Sequence, residues 1–226
     1  GLKARNPFGG LSALPFHFQT FIMDDREQVF QSIRDALAPL GDNRTPYPDW
    51  DPAVSDAQQL HAPDAAETEA YFAAQVAVAN GRFLDGWTGL RELLLEGGAT
   101  EGYVDPQLVE EAREALGEIP FATHIDRERI DDYGFGITLA DGAIAETGSV
   151  VLADRSSPFR LGALAPWIHV AVIRRASLVR SVREAVARFG DDPNIVFATG
   201  PSKTADVEGI LIEGVHGPGC QVCLLV

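Results

Sequence analysis

Apolar positions in the first half of the chain recur with helical period. Val29, Phe30, Ile33, Leu37 and Leu40 share one face. Asp24, with Glu27 three positions on, resembles a capping box, and Pro39 and Gly41 mark a stop, so the pattern predicts a helix over 24–40. Phe72, Val76 and Ala79 predict a second helix over 64–80, closed by Gly81. Leu90, Leu93 and Leu94 mark a third over 87–96, ahead of Gly97 and Gly98. A fourth spans 106–116, with Pro106 near its first position after Asp105. Residues 1–23 carry Gly, Pro and aromatics with no clean period and read as an N-terminal arm. Residues 24–226 read as a single α/β domain, in which the Pro- and Asp-rich stretch 41–63 is a loop or surface excursion.

From 134 onward the period shortens. Residues 135–140 and 143–153 read as two strands joined by Asp141-Gly142, a hairpin turn pair. Residues 167–173 form a nearly continuous apolar run, the kind buried on both faces of a parallel sheet. Leu178, Val182, Val186 and Phe189 predict an amphipathic helix over 177–189. Residues 194–199 read as a strand, 204–212 as a short helix and 220–226 as the last strand. Alternating strand and helix argues for βαβ units and a mostly parallel sheet, made mixed by the hairpin.

Composition narrows the function. The chain has 226 residues, with 33 acidic against 18 basic side chains and a formal net charge of −15. Such a surface repels a phosphate backbone, and no basic stripe interleaved with aromatics offsets it, so no nucleic-acid partner is expected. Anionic membranes are disfavoured in the same way. No apolar run approaches a transmembrane length, so no membrane insertion is expected, and no secretory signal is read at the start. The two cysteines, Cys220 and Cys223, lie inside a strand-like run, where positions three apart face opposite sides. That favours a structural role in a reducing compartment, and the expected location is cytoplasmic. The histidines show no ligand-like pairing, so no metal and no cofactor are expected in this chain.

Three constellations carry candidate chemistry. Gly200, Pro201, Ser202, Lys203, Thr204, Asp206 and Glu208 follow a predicted strand and enter a predicted helix. Free N–H groups there, two hydroxyls and an ammonium would suit an anion; the simpler reading is a capped helix with Ser202 or Thr204 as N-cap. Glu146, Thr147, Gly148 and Ser149 interrupt an apolar strand, which suggests the edge of a cleft or a solvent-facing edge strand. His216 stands among Gly214, Gly217, Pro218 and Gly219, where a histidine can act as a base, contact a ligand or be structural. Parallel sheets bind ligands beyond their carboxyl ends, which leads us to expect Gly200–Thr204 and Glu146 in one cleft, with His216 a weaker candidate.

The order and spacing of four blocks point to a family. Residues 143–152, 166–173, 199–208 and 214–218 together resemble the lactate-utilisation (LUD) domain family, in particular its LutC/YkgG-type members. The specific match covers about 130–226. The resemblance implies a fold similar to the NagB/RpiA/CoA-transferase group, a Rossmann-like three-layer α/β/α sandwich with a mostly parallel mixed sheet. It implies a role in oxidising L-lactate to pyruvate, alongside iron–sulfur partner subunits that hold the clusters. It places Glu146, Thr147 and Gly148 in one motif, Gly200, Pro201, Ser202, Thr204, Asp206 and Glu208 in a second, and His216 and Gly217 in a third. Lys203 stands where Arg is frequent, which keeps the cation and loses the fork. Cys220 and Cys223 match no family motif. With no cluster ligands and no G-x-G-x-x-G fingerprint, the chain is not expected to carry electrons alone. The alternatives are a free-standing small-molecule enzyme acting on an anionic metabolite, with Glu146 and His216 as catalytic candidates, and a non-catalytic scaffold. The aromatic arm suits packing on the body or on a second copy, which leaves a homo-oligomer open.

Overall fold

The computed structural model describes residues 18–40, 64–153, 160–190, 192, 194–205 and 211–226, with backbone alone for 18–25 and 40. Most of the arm, the stretch 41–63, Asp206 and Glu208 lie outside the described residues. The chain divides into two units, residues 1–51 and 52–226.

The first unit contains helix α1, Phe18–Leu37, and a 3-10 turn, Ala38–Leu40. The helix begins six residues before the expected start, so Asp24 lies inside it and cannot be its cap. Its surface carries local pairs: Arg34 with Glu27 at 2.9 Å, and the Arg26 guanidinium 4.7 Å above the Phe30 ring. The apolar stripe of Val29, Phe30, Ile33 and Leu37 is exposed.

The second unit is built on a six-stranded sheet. Its strands are β1 (Arg82–Asp85), β2 (Gly102–Val104), β3 (Phe121–Ala122), β4 (Phe135–Leu139), β7 (Ile168–Ile173) and β12 (Cys220–Leu225). Their order is β1-β12-β7-β4-β2-β3, and every pairing is parallel. All six residues of β7 are buried, as a strand covered on both faces requires. Ile168, Val170 and Val172 face one cluster with Val222, Leu224 and Ile137. Helices α3 (Leu90–Glu96) and α4 (Val109–Leu116) cover that side through Leu90, Leu94, Ala112 and Leu116. Asp105 caps the turn before α4 by accepting from the Gln107 N–H, with Pro106 following.

Ala171, Ile173, Cys223 and Leu225 face the opposite cluster. Helices α2 (Thr68–Val78) and α5 (Arg160–Leu164) enter it through Phe72, Val76 and Ala163. So does a second sheet, ordered β8-β5-β6-β9, comprising β5 (Gly142–Ile144), β6 (Ser149–Ala153), β8 (Leu178–Val179) and β9 (Ile195–Thr199). Its far side packs Ile144, Val151 and Val179 against Ala185 of α6, Val182–Phe189. The unit is α/β with a parallel central sheet and flanking helices, and its second sheet adds a layer to the expected sandwich.

Four expectations change. Asp141-Gly142 is not a hairpin turn: β4 is held by parallel neighbours on both sides, and the residues carry the chain into the second sheet, where Asp141 Oδ2 accepts from the Ala153 N–H at 2.7 Å. The hairpin turn lies between β5 and β6, at Glu146-Thr147-Gly148. Helix α6 starts at Val182, because Leu178–Val179 pairs with β5 and the Ser181 hydroxyl accepts from the Glu184 N–H. Val182 and Val186, expected on its core face, are exposed, and Ala185 is buried instead. The span 204–212 is not a helix where it is described: β10 (Lys203–Ala205) pairs antiparallel with β11 (Leu211–Glu213).

Candidate functional site

The motif loops meet near the amino ends of β7 and β12. Strand β9 joins the second sheet antiparallel to β6, so the loop after Thr199 is not at the carboxyl edge of the parallel sheet. It lies beside the chain entering β12: the Ser202 N–H donates to the Pro218 carbonyl, and the Gly214 N–H donates to the Ser202 carbonyl, both at 2.8 Å. A Cβ on Gly217 would stand 3.2 Å from Ser202 Cβ. The His216 loop therefore adjoins Gly200–Ser202. His216 itself is exposed, while Pro201 and Pro218 are buried.

A row of hydroxyls links this loop to the β5–β6 turn. Thr147 Oγ1 and Ser149 Oγ are 2.6 Å apart, and Ser149 Oγ is 2.6 Å from Thr199 Oγ1. The antiparallel register places Ser149 opposite Thr199. Ser149, in the middle, is buried, Thr147 is half-buried and Thr199 is exposed, so the row meets solvent most openly at Thr199. A hydroxyl both donates and accepts, so the row can orient a polar ligand at its open end.

The charged candidates are held elsewhere. Glu146 Oε2 accepts from the Val182 N–H at 3.0 Å, satisfying a first-turn donor of α6. Lys203 Nζ donates to the Ala79 carbonyl at 3.0 Å, at the C-terminal end of α2. There the last carbonyls lack helical partners and the helix dipole favours a cation. Glu213 accepts from Asn80 Nδ2 at 3.0 Å and lies 3.9 Å from Lys203. No helix starts at 202–204, so no helix N-terminus is offered to an anion there, and neither Ser202 nor Thr204 is an N-cap. Thr204 instead pairs with Ile212 in the β10–β11 ribbon. We expect Lys203→Ala to lower stability by about 0.5–1 kcal/mol, by removing the cation from the α2 terminus. Urea unfolding checks this; an unchanged midpoint would mean that the contact contributes nothing.

Polar residues of the inner sheet were not singled out as site candidates. His169 of β7 is buried, with Nε2 2.9 Å from Thr138 Oγ1 of β4 and Nδ1 3.2 Å from Gln221 Oε1 of β12. The amide oxygen only accepts, which fixes the proton on Nδ1 and leaves Nε2 to accept from Thr138. Burial pushes the imidazole down to about 4, against the opposing pull of the Gln221 contact. Burial also pushes the Cys223 thiol up to about 12 and raises Cys220, which the Arg82 charge partly offsets. Among the described residues no group of three His, Cys, Asp or Glu side chains could hold a metal ion, and no helix is long and apolar enough to cross a membrane.

A cleft of about 500 Å³ opens beside these loops, lined by Arg82, Leu93, Glu96, Trp167, Ile168 and Glu213 among others. The indole of Trp167 is clasped by glycine backbone: a Cβ on Gly214 or Gly219 would stand 2.4 or 2.3 Å from its ring. Leu211, Ile212 and Val215, on the ribbon and loop next to it, are exposed.

Both sheets, the Glu-Thr-Gly turn, the Gly-Pro-Ser loop and the Gly-Val-His-Gly-Pro loop all fall within residues 82–226. A sequence model of the LUD domain matches residues 56–226, and the chain belongs to the LUD domain family. Within that family it is similar to proteins named lactate utilization protein C. The one from Deinococcus radiodurans is 33% identical over 110 residues, covering 46% of this chain and 50% of that protein. Those from Oceanobacillus iheyensis and Bacillus subtilis are 36% identical over 91 residues and 31% over 107, covering 37% and 44% of this chain and 39% and 45% of those proteins. The matched segment thus spans half or less of each relative's length. A crystal structure of a duf162 family protein from Deinococcus radiodurans is also similar, with a TM-score of 0.42 and 20% identity over 73% of this chain and 99% of that one.

Proposed function

We propose that this chain is a component of an L-lactate-oxidising system, acting with iron–sulfur partner chains that carry the electrons and recognising a small anionic metabolite. The observation that carries the reading is the similarity to lactate utilization protein C in three organisms. The side chains favour a cooperating subunit over an enzyme working alone. One Glu146 carboxylate oxygen is engaged by the α6 N-terminus, and His216 lies on an exposed loop, so neither is arranged as an acid–base pair. Both cysteines belong to β12, and Cys223 is fully buried with a thiol that resists ionisation, which makes them poor cluster ligands. The exposed Leu211, Ile212 and Val215 beside the motif loops suit a surface that a partner covers. Reconstituted lactate oxidation, with and without this chain, tests the reading.

A further inference from the structure

The cleft at the amino edge of the parallel sheet uses side chains that the loop network leaves open. Arg82 begins the edge strand β1, is exposed, and forms no ion pair with another described residue. Glu96, at the end of α3, is likewise without an ionic partner among the described residues. Glu213 is tied to Asn80 and faces Lys203, which partly balances its charge. Trp167 is 55% exposed, yet the backbone at Gly214 and Gly219 packs against its ring. An aromatic wall already held in place loses little freedom when a ligand packs on it.

The charges define what fits. A guanidinium offers a planar fork that matches a carboxylate. It is a single cation in a wall that also carries Glu96 and Glu213, so a second negative charge on the ligand would be repelled. Trp167 and, beside it, Leu93 offer apolar surface to the rest of the molecule, in a lining that is otherwise largely polar. About 500 Å³ is ample for a body larger than three carbons. We propose that this cleft binds a monocarboxylate with an apolar body, its carboxylate on Arg82 and its carbon skeleton on Trp167. This goes beyond the assignment to a lactate-oxidising system and does not require it.

Calorimetric titration of the intact chain tests the proposal with four probes: benzoate, lactate, inorganic phosphate and citrate. Benzoate should bind one to one and more tightly than lactate, and phosphate and citrate should bind more weakly than either. Arg82→Gln should weaken benzoate by about tenfold or more, because a charge-assisted pair is lost. Its melting should be unchanged, since the side chain is exposed. Glu96→Gln should improve citrate binding by removing the repulsion. No benzoate binding, equal binding by Arg82→Gln, or phosphate bound as tightly as benzoate would each overturn the proposal. None of these readouts involves lactate oxidation, so failure here and failure of the wider functional reading are separately visible.

Discussion

Gly200→Ala should lower the stability of the chain by roughly 2–5 kcal/mol, from left-handed strain and a backbone clash together. Gly200 has φ +68°, and an added Cβ would stand 2.1 Å from the Ala79 carbonyl oxygen. That oxygen belongs to the end of α2 and already accepts from Lys203, so it cannot yield without loosening the helix terminus from the loop. Gly86 is the matched control, with φ +79° and nothing within 4 Å of the added atom. Gly86→Ala should cost only the strain, about 1–2 kcal/mol. Urea unfolding of the two variants side by side separates clash from strain. Equal losses would mean that the loop is not pressed against α2.

The second large effect is a pH dependence centred on His169. Its folded-state imidazole is depressed to about 4 by burial, while an unfolded histidine titrates near its ordinary value of about 6.5. Below the ordinary value the unfolded chain takes up a proton that the folded chain refuses. The stability held at neutral pH is therefore complete above about 6.5 and is lost as pH falls towards about 4, amounting to roughly 3 kcal/mol across that window. Carboxylates also titrate at the lower end, so the readout is a difference. Unfolding free energies of wild type and His169→Gln should converge in wild type's disfavour as pH falls from 7 to 4. A difference that stays constant with pH would mean that the buried ring is not what titrates.

The parallel core was legible because each strand announced itself locally. Residues 168–173 and 220–225 are apolar apart from His169 and Gln221, with no polar alternation, and strands covered on both faces have that signature. The second sheet was not legible, because pairing is a long-range choice. Asp141-Gly142 carries a hairpin signal, but β4 already has β2 and β7 as parallel neighbours, and the turn moved to a Gly148 with φ +66°. The helix expected over 204–212 failed for a related reason: the Lys203–Ala205 backbone finds its hydrogen bonds in Leu211–Glu213. At the site, the Gly200–Ser202 and Gly214–Pro218 loops do adjoin, but the charged side chains expected between them are engaged elsewhere. Glu146 engages an N–H 36 positions away and Lys203 a carbonyl 124 positions away, and no local pattern encodes either. Thr199, the open end of the hydroxyl row, opens the 199–208 block but ends a strand, so only its pairing with Ser149 brings it to the row. Arg82, the open cation of the cleft, starts a short strand with no motif around it.

The central claim is tested most directly by measuring lactate-dependent electron-acceptor reduction with this chain alone, with the proposed iron–sulfur partner chains alone, and with all of them together. We expect no turnover from the chain alone, because its cysteines lie in β12 and Glu146 is engaged at the α6 terminus. Turnover should appear, or rise severalfold, when the chain joins its partners. Full lactate oxidation by the partners without it, or by this chain without them, would contradict the account.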